Sequence, residues 1–588
     1  MEQDLFLATT SLENFWDKNS NNGVFLGEWC KLYSERRSYE NLNWNTLEYI
    51  WKDEKEIDEG IMYCESVYQN ILKKLYIALN TFHNINKDLR YWDVLLKPWL
   101  LPYIQIIHDK YRHIKLAEKK YNNIYTFTLC NNEYSFVNTP NMFLQNVVNN
   151  DIYNLQLYSQ IIKFLNIKSD DIKYKYEKNN LIITYKFSKK ENFLRIISKI
   201  ANKIANKNSV LVVSPYFKEN SLLKVMLLSL NSRFLFVFDN LAYDIKVDKK
   251  IDLLKRKTIF NKILFDDEFS NLVFETLVYN FPSIYLEGFL DFRGKVLKLP
   301  IKKSKVIYSA NAMHGNEIFK FYTAENYREL VITYGQHGGN IGLDKVNIPE
   351  EIEMNFSDIY FTFGWGRANG KIIYQPTYSS KSIDFMKYEN IVLVMTVMPR
   401  YFYRYMYCEE SSKIVDYIEN TKVFLQNFNL KERLVIRPYM QDYQWSIKDR
   451  LLEVSKDLKF DNHTNYYKQI KNARIVIFDH MHTGYLETLS VNIPTVIIIP
   501  QNIYYFRESA KPYIQLLKDA NILFENPLEA AEFVEIVYSN VASWWQSDNV
   551  QNAREEFCYR YARTSENWAD EWIKEFNTIL EENARNNS

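Results

Sequence analysis

From Ser209 onward the chain is punctuated by short, apolar, β-branched runs, each followed by polar residues and most by a helical stretch. The first set is Val210 to Val213, Phe234 to Phe238, Val306 to Ser309, Leu330 to Tyr334 and Ile359 to Thr362. A second set begins near Tyr388: Ile391 to Met395, Leu434 to Arg437, Ile475 to Phe478, Thr495 to Ile499 and Ile522 to Phe524. Runs this short and apolar read as strands buried on both faces. Strands alternating with helices form parallel sheets covered on both sides, so an α/β fold with two successive units is expected.

The rest of the 588 residues divides around those units. Residues 1–205 read as a mainly helical N-terminal region, 206–387 and 388–526 as two Rossmann-like domains, and 527–588 as a helical C-terminal tail. Asp58 to Asn80 places Ile61, Val67, Ile71, Leu72, Leu75 and Leu79 at helical spacing. Tyr91 to Leu116 is an apolar helical region broken at Pro98 and Pro102. Ile152 to Leu165 and Asn192 to Ile204 also read as helices. The alternation of Tyr125, Phe127 and Leu129 predicts a hairpin within Tyr121 to Val137. Tyr374 to Lys387, with Pro376 and several serines, reads as a linker. In the tail, Trp544, Trp545, Trp568 and Trp572 are available to pack back on the body.

Composition narrows the function by exclusion. Net charge is +1, so no global field points to nucleic acid or to an anionic membrane. Aromatics are 16% of the chain, yet no basic stripe accompanies them as in a base-stacking groove. The five cysteines lie far apart, without metal-ligand spacing, and a reducing cytosol is the expected setting. The acidic start is not that of a signal peptide. No apolar run reaches the ~18 residues of a spanning helix, so any work at a membrane is done from its surface.

Four constellations carry chemistry. Gly335-Gln336-His337-Gly338-Gly339 follows the strand Leu330 to Tyr334. Its glycines allow close backbone approach, its amides could face an anion, and its imidazole could take a proton from a hydroxyl near neutral pH. The plain alternative is a tight turn. Arg437-Pro438-Tyr439 ends another strand, where a guanidinium can clamp a phosphate or carboxylate, or simply lie at the surface before a turn. Asp479-His480-Met481-His482-Thr483-Gly484 follows the strand Ile475 to Phe478 and opens a helix. There Thr483 is a phosphate ligand or an N-cap, and Glu487 could hold a ribose hydroxyl pair. Glu287, set among apolar residues, and His314, just past a strand end, are further acid/base candidates in the first domain. Arg400 could reach a phosphate or carboxylate from the cleft. Acid/base groups thus fall in one domain and phosphate-type groups in the other. That division suits a glycosyltransferase of GT-B architecture, with the donor in the second domain and the acceptor's base in the first.

At these motifs the chain resembles a known family. Leu26-Gly27-Glu28-Trp29-Cys30, Arg90-Tyr91-Trp92-Asp93, the Gln-His-Gly-Gly piece, Ser357-Asp358-Ile359-Tyr360, Arg437-Pro438-Tyr439 and Thr483 to Glu487 together are similar to a bacterial family of surface-carbohydrate-biosynthesis transferases. The resemblance spans residues 24 to 540. More distantly, the second half looks like GT-B enzymes with cytidine-activated donors, which transfer Kdo, nonulosonates or glycerol phosphate. There a strand-end His-Pro and a hydroxyl-bearing turn bind the nucleotide. Here Arg437-Pro438 stands in place of His-Pro, and His482-Thr483 where the hydroxyl pair would be.

The resemblance implies transfer of a sugar onto a bacterial surface glycan or lipid-linked glycan, with a CMP-activated keto-sugar acid as the leading donor. His337 is the expected general base, with Glu287 or His314 as partners or alternatives. Arg437, His482, Thr483, Glu487, Arg400, Gly338 and Gly339 are the expected donor-side residues. No metal and no cofactor are expected, and the nucleotide-sugar is a substrate. The expected setting is cytoplasmic, at or near the inner face of the cell membrane. The rival expectation is a non-catalytic carbohydrate-binding or scaffolding protein of a surface-assembly complex.

Overall fold

A computed structural model describes residues 4–176, 196, 200, 209–217, 219–230, 236–239, 241, 249–260, 263–299, 301, 304–366, 370–372, 375–376, 385–461, 463–501 and 503–586. The helix expected at Asn192 to Ile204 lies almost wholly outside these residues, as does most of the linker expected at Tyr374 to Lys387.

The N-terminal region is not merely helical. Strands β1 (Leu5–Ala8), β2 (Gly23–Phe25), β3 (Asn45–Thr46), β4 (Ile124–Leu129) and β5 (Lys168–Ile172) form a parallel sheet in the order β3-β2-β1-β4-β5. The alternation at Tyr125, Phe127 and Leu129 does mark a strand. Its partners are β1 and β5, both parallel, so the expected hairpin is absent. Against this sheet pack α1 (Glu54–His83) and α2 (Leu89–Lys120), then α3 (Pro140–Asn149) and α4 (Asp151–Phe164). Helix α2 runs unbroken through Pro98 and Pro102. Each proline removes one ladder donor and favours a break. Here Leu95, Leu96, Trp99, Leu100, Tyr103 and Ile104 are all buried around them, and that packing holds the helix together.

The second sheet contains every strand expected of the first α/β unit: β6 (Val210–Val213), β7 (Phe236–Phe238), β8 (Val306–Ser309), β9 (Val331–Gly335) and β10 (Ile359–Thr362), with β11 (Gly370–Ile372) at its edge. The order is β7-β6-β8-β9-β10-β11, all parallel. Strand β12 (Gln375–Pro376) leaves this unit and pairs with the tail. The third sheet holds β13 (Ile391–Val394), β14 (Leu434–Arg437), β15 (Lys459–Phe460), β16 (Ile475–Phe478), β17 (Thr495–Ile498) and β18 (Leu523–Phe524). Its order β15-β14-β13-β16-β17-β18 is the 3-2-1-4-5-6 arrangement of a Rossmann sheet. The architecture is therefore α/β with parallel sheets, as expected, but among the described residues three of them have five or six strands. In each of the second and third sheets the strand order reverses once, between β6 and β8 and between β13 and β16, and ligands collect beyond the carboxyl ends at such points.

The tail is helical, as expected, and returns to the second sheet. In the helix Trp568–Asn586, Trp572 meets Tyr308 at 5.2 Å and Phe361 at 5.1 Å between ring centroids, and Phe576 meets Phe236 at 5.0 Å. Strand β19 (Thr564–Ser565) pairs with Gln375 and Pro376 on the way. Among the described residues no helix is long and apolar enough to cross a membrane.

Candidate functional site

The loop after β9 is built around Gln336. Its buried side chain donates to the carbonyls of Gly338 (2.8 Å) and Ile341 (3.0 Å). Its oxygen accepts from the Phe363 amide and the Trp365 indole, both at 2.8 Å. All the capacity of one amide is thus spent on shaping the loop, which explains a glutamine directly before the histidine. Downstream, Gly342 adopts φ +85°, and its amide donates to Glu350, which Arg507 grips with two bonds at 3.1 and 2.7 Å. His337 is therefore displayed by a rigid loop at a strand's carboxyl end.

Behind His337 lies a carboxylate that sequence reading missed. Glu353, fully buried on the helix Ile348–Phe356, has Oε1 at 3.5 Å from His337 Nδ1 and 2.6 Å from His314 Nε2. Its Oε2 accepts from the Tyr360 hydroxyl at 2.9 Å. Burial pushes the Glu353 carboxyl up to about 8, against the opposing pull of His337, and pushes His314 down to about 3. Burial also lowers His337, partly offset by Glu353. The two histidines expected as alternatives are thus neighbours sharing one carboxyl group, with ring centroids 6.0 Å apart. At 3.5 Å the carboxyl group makes no hydrogen bond to Nδ1, which is buried without a partner, so Glu353 acts on the ring through its charge, and an imidazole kept neutral by burial has a lone pair for a substrate proton.

Glu287, the expected partner, lies elsewhere. Arg256 holds it with two bonds at 2.6 and 2.7 Å, and it lines a separate cavity of about 370 Å³ with Lys249, Lys250 and His83. It sits in a turn between helices, not at a strand end, so the fold does not bring it to His337.

The third sheet brings its own loops to the same place. The Gly339 amide donates to Thr483 Oγ1 at 3.3 Å. A Cβ at Gly339 would stand 2.2 Å from the His482 carbonyl oxygen, so that position has room for glycine alone. His482 Nδ1 lies 3.2 Å from Oγ1 of Thr396, two residues past the end of β13 at Val394, so it stands at the switch point. Thr483 opens the helix Gly484–Ser490 without capping it. Glu487 accepts from the Tyr467 hydroxyl at 3.1 Å, and burial, with the Glu487 charge adding to it, raises Tyr216, whose ring centroid is 6.2 Å from that of His337. Arg437 ends β14, with one guanidinium nitrogen bonded to the Thr464 carbonyl (2.8 Å) and Gln469 (2.7 Å). Gly338 is held in the loop by Gln336.

Arg400 is not available to a donor. It is 4% exposed and donates to the Trp29 carbonyl at 2.7 Å, to both oxygens of Asp151 at 2.8 and 2.7 Å, and to Gln444 at 2.6 Å. It fastens the loop after β13 to the N-terminal unit. The cation that faces the histidines is Arg404, four residues on. Its positive charge bears on His314, His337 and His482, lowering each, and on Glu353. Its Nε is buried without a hydrogen-bond partner, and among the described residues it makes no ion pair. The sequence signal was an arginine in the aromatic run Tyr401 to Tyr407, in the segment that follows β13.

A metal could be offered Cys408, Glu409 and His482, whose donor atoms lie within 4.8 Å of one another. Each already has other business: burial drives the Cys408 thiol far up and the Glu409 carboxyl to about 8, Glu409 accepts from Tyr504 at 2.9 Å, and His482 faces Thr396.

Backbone strain collects around these loops. Ser214 and Tyr216 after β6, Ser411 after β13, and Tyr443, Gln444 and Ser446 after β14 all have positive φ without being glycine. Such conformations cost free energy and persist where the surroundings enforce them, often at functional sites.

Comparison with known proteins adds a family. The model of the LIC12162 family transferase family matches residues 5–576. No curated protein matches in sequence. Among solved structures, Anabaena Alr3699/HepE in complex with UDP and glucose aligns over 65% of this chain and 100% of its own, at 11% identity and a TM-score of 0.35. The spinosyn rhamnosyltransferase SpnG, complexed with spinosyn aglycone, aligns over 60% and 96%, at 10% identity and 0.31. An alpha-glucosyltransferase in complex with UDP and a 13-mer DNA containing a central A:G mismatch aligns over 63% and 99%, at 11% identity and 0.30.

Proposed function

The chain belongs to the LIC12162 family of transferases, and on that premise we propose that it moves a glycosyl group from a nucleotide-activated sugar to a hydroxyl of a glycan acceptor. One observation carries this reading. A histidine backed by a buried carboxyl group and a part-buried arginine, whose Nε is enclosed without a hydrogen-bond partner, meet where the carboxyl ends of two Rossmann-type sheets face each other.

The proposed step is a single displacement. His337 Nε2 takes the acceptor's O–H proton as that oxygen bonds to the anomeric carbon. The bond from that carbon to the donor phosphate breaks, and the leaving phosphate keeps the electron pair. The charge of Glu353, 3.5 Å from Nδ1, stabilises the imidazolium as it forms. Arg404, with Arg437 at the edge, meets the charge that develops on the leaving group, which is how such a transfer can proceed without a metal. His482, Thr483, Gly338 and Gly339 line the approach, and Glu487 is placed to hold ribose hydroxyls. Burial of the donor in a cleft with Arg404 also suits a sugar carboxylate, and a CMP-activated keto-sugar acid is the first donor to try. The five cysteines are free, which fits a cytoplasmic setting at or near the inner face of the membrane where a lipid-linked glycan is met.

The test has two parts. Thermal unfolding with CMP, CDP, UDP and GDP should show at least one nucleotide raising the melting temperature through linkage. With that nucleotide's sugars as donors, His337→Ala should abolish turnover while leaving the stabilisation in place. Failure of all four nucleotides favours a non-catalytic carbohydrate-binding role instead.

A further inference from the structure

A second cavity, of about 460 Å³, opens on His482. It lies between α3 of the N-terminal unit and the loops after β13 and β14. We infer that it is a subsite for a neutral sugar residue of the acceptor, formed jointly by the N-terminal unit and the third sheet; this rests on the glycosyl-transfer reading of the adjoining cleft.

Its size falls in the range of small-molecule sites. Its walls have a distinct chemistry: Tyr403, Tyr439 and Tyr443 from the third-sheet unit, with the amides of Gln145, Asn149 and Gln441. Among the described residues none lining it is Asp, Glu, Lys or Arg. A pyranose presents an apolar C–H face and a rim of hydroxyls. Tyrosine rings cover the first, and carboxamides, each donor and acceptor, bond the second. A phosphate, a uronate or a keto-sugar acid would instead require a cation, and neither Arg404 nor Arg437 lines this cavity.

The walls are pre-formed. Gln441 Nε2 donates to Asn149 Oδ1 at 2.6 Å, joining the two units at the rim. The strained turn at Tyr443, Gln444 and Ser446 is held by Asp442, which accepts from the amides of Ser446 (2.7 Å) and Ile447 (3.0 Å). Arg400 grips Gln444 from behind at 2.6 Å. The Arg400–Asp151 clamp thereby acquires a purpose: it fixes the N-terminal unit against the loops that complete the cavity. A site ordered before its ligand arrives spends less of the binding free energy on ordering.

The test is saturation-transfer NMR on the full chain, with the methyl glycosides of glucose, galactose, mannose, rhamnose and N-acetylglucosamine, and methyl glucuronide as the charged control. At least one neutral glycoside should receive saturation and the glucuronide none. Gln145→Ala and Tyr439→Ala should each weaken that glycoside's binding by about tenfold, the effect of one lost contact. Tyr439 is 52% exposed, so its replacement leaves the core untouched. The nucleotide that stabilises the protein should not displace the glycoside. Displacement would assign the cavity to the nucleoside and overturn the inference. So would the absence of signal from every neutral glycoside, or binding unchanged in both variants. None of these results bears on His337, so failure here is distinct from failure of the proposed transfer.

Discussion

The backbone amide of Gly339 donates to the hydroxyl of Thr483 across 3.3 Å, and this contact joins the histidine loop of the second sheet to the switch-point loop of the third. No side chain can enter between them, because even a methyl group at 339 would meet the His482 carbonyl oxygen at 2.2 Å.

Gly339→Ala should therefore separate the loops without disturbing either sheet. Overpacking of this kind costs about 1–3 kcal/mol. The expected outcome is a modest drop in melting temperature and a loss of turnover of at least about tenfold, since a small misplacement of reacting groups is expensive. Full activity in this variant would show that the two loops work independently.

His337 is held below its ordinary value of 6.5, chiefly by burial. As a base it must be neutral, so turnover should persist into mildly acidic solution, with the acid limb of kcat/KM centred below pH 6.5. Glu353 opposes the shift. In Glu353→Gln the limb should move lower still, while the rate at neutral pH falls by about tenfold or more as the imidazolium loses the charge that stabilises it. An acid limb at or above 6.5 in the native protein would contradict this assignment.

Arg404→Met keeps the length and apolar stem of the side chain and removes its charge. If Arg404 meets the leaving phosphate, kcat should fall by about a hundredfold, the usual effect of removing one group that stabilises developing charge. Arg404→Lys should recover part of the loss. The same variant should raise the pKa of His337, because a neighbouring cation is gone. An NMR titration of the histidine ring reads that shift without any substrate.

Arg400 should behave in the opposite way. Arg400→Ala leaves the part-buried Asp151 without its cation, though still bonded by Ser11 and Tyr401, and losing charged hydrogen bonds of this kind costs about 1.5–3 kcal/mol. Chemical denaturation should show that loss, whereas nucleotide affinity in the folded protein should be unchanged. Weaker nucleotide binding at equal stability would return Arg400 to the donor site.

The contrast between Arg400 and Arg404 shows where the sequence was legible. The strands of the second and third sheets were readable because each is a buried apolar run, and burial on both faces leaves no other pattern. His337, His482 and Thr483 were readable because they follow such runs directly. The first sheet was not, since β2 and β3 have three and two residues and owe their pairing to distant segments. The segment Arg400 to Glu410 alternates Tyr401, Tyr403, Tyr405 and Tyr407 with the period of a strand, yet it forms no strand. Its path is set by contacts such as Arg400 with Asp151 and Tyr405 with His108, so which arginine faces inward is decided by tertiary structure. Glu353 hid in a helix where Glu350 and Glu353, three apart, point into the core among Ile348, Ile352 and Phe356. Two carboxylates on an apolar face were the available clue. Glu287 looked similar in isolation, but Arg256 had already claimed it.

The return of the last helix to the second sheet sets an order of assembly. Domains generally fold as units while the chain is being made, N-terminal first. Trp572 and Phe576 fill a core whose other walls, Tyr308 and Phe361, leave the ribosome long before them. The histidine-bearing unit therefore closes only after the unit that follows it in sequence has been made. A ribosome stalled within the final helix would release a protein with a finished third sheet and a second sheet open on one side.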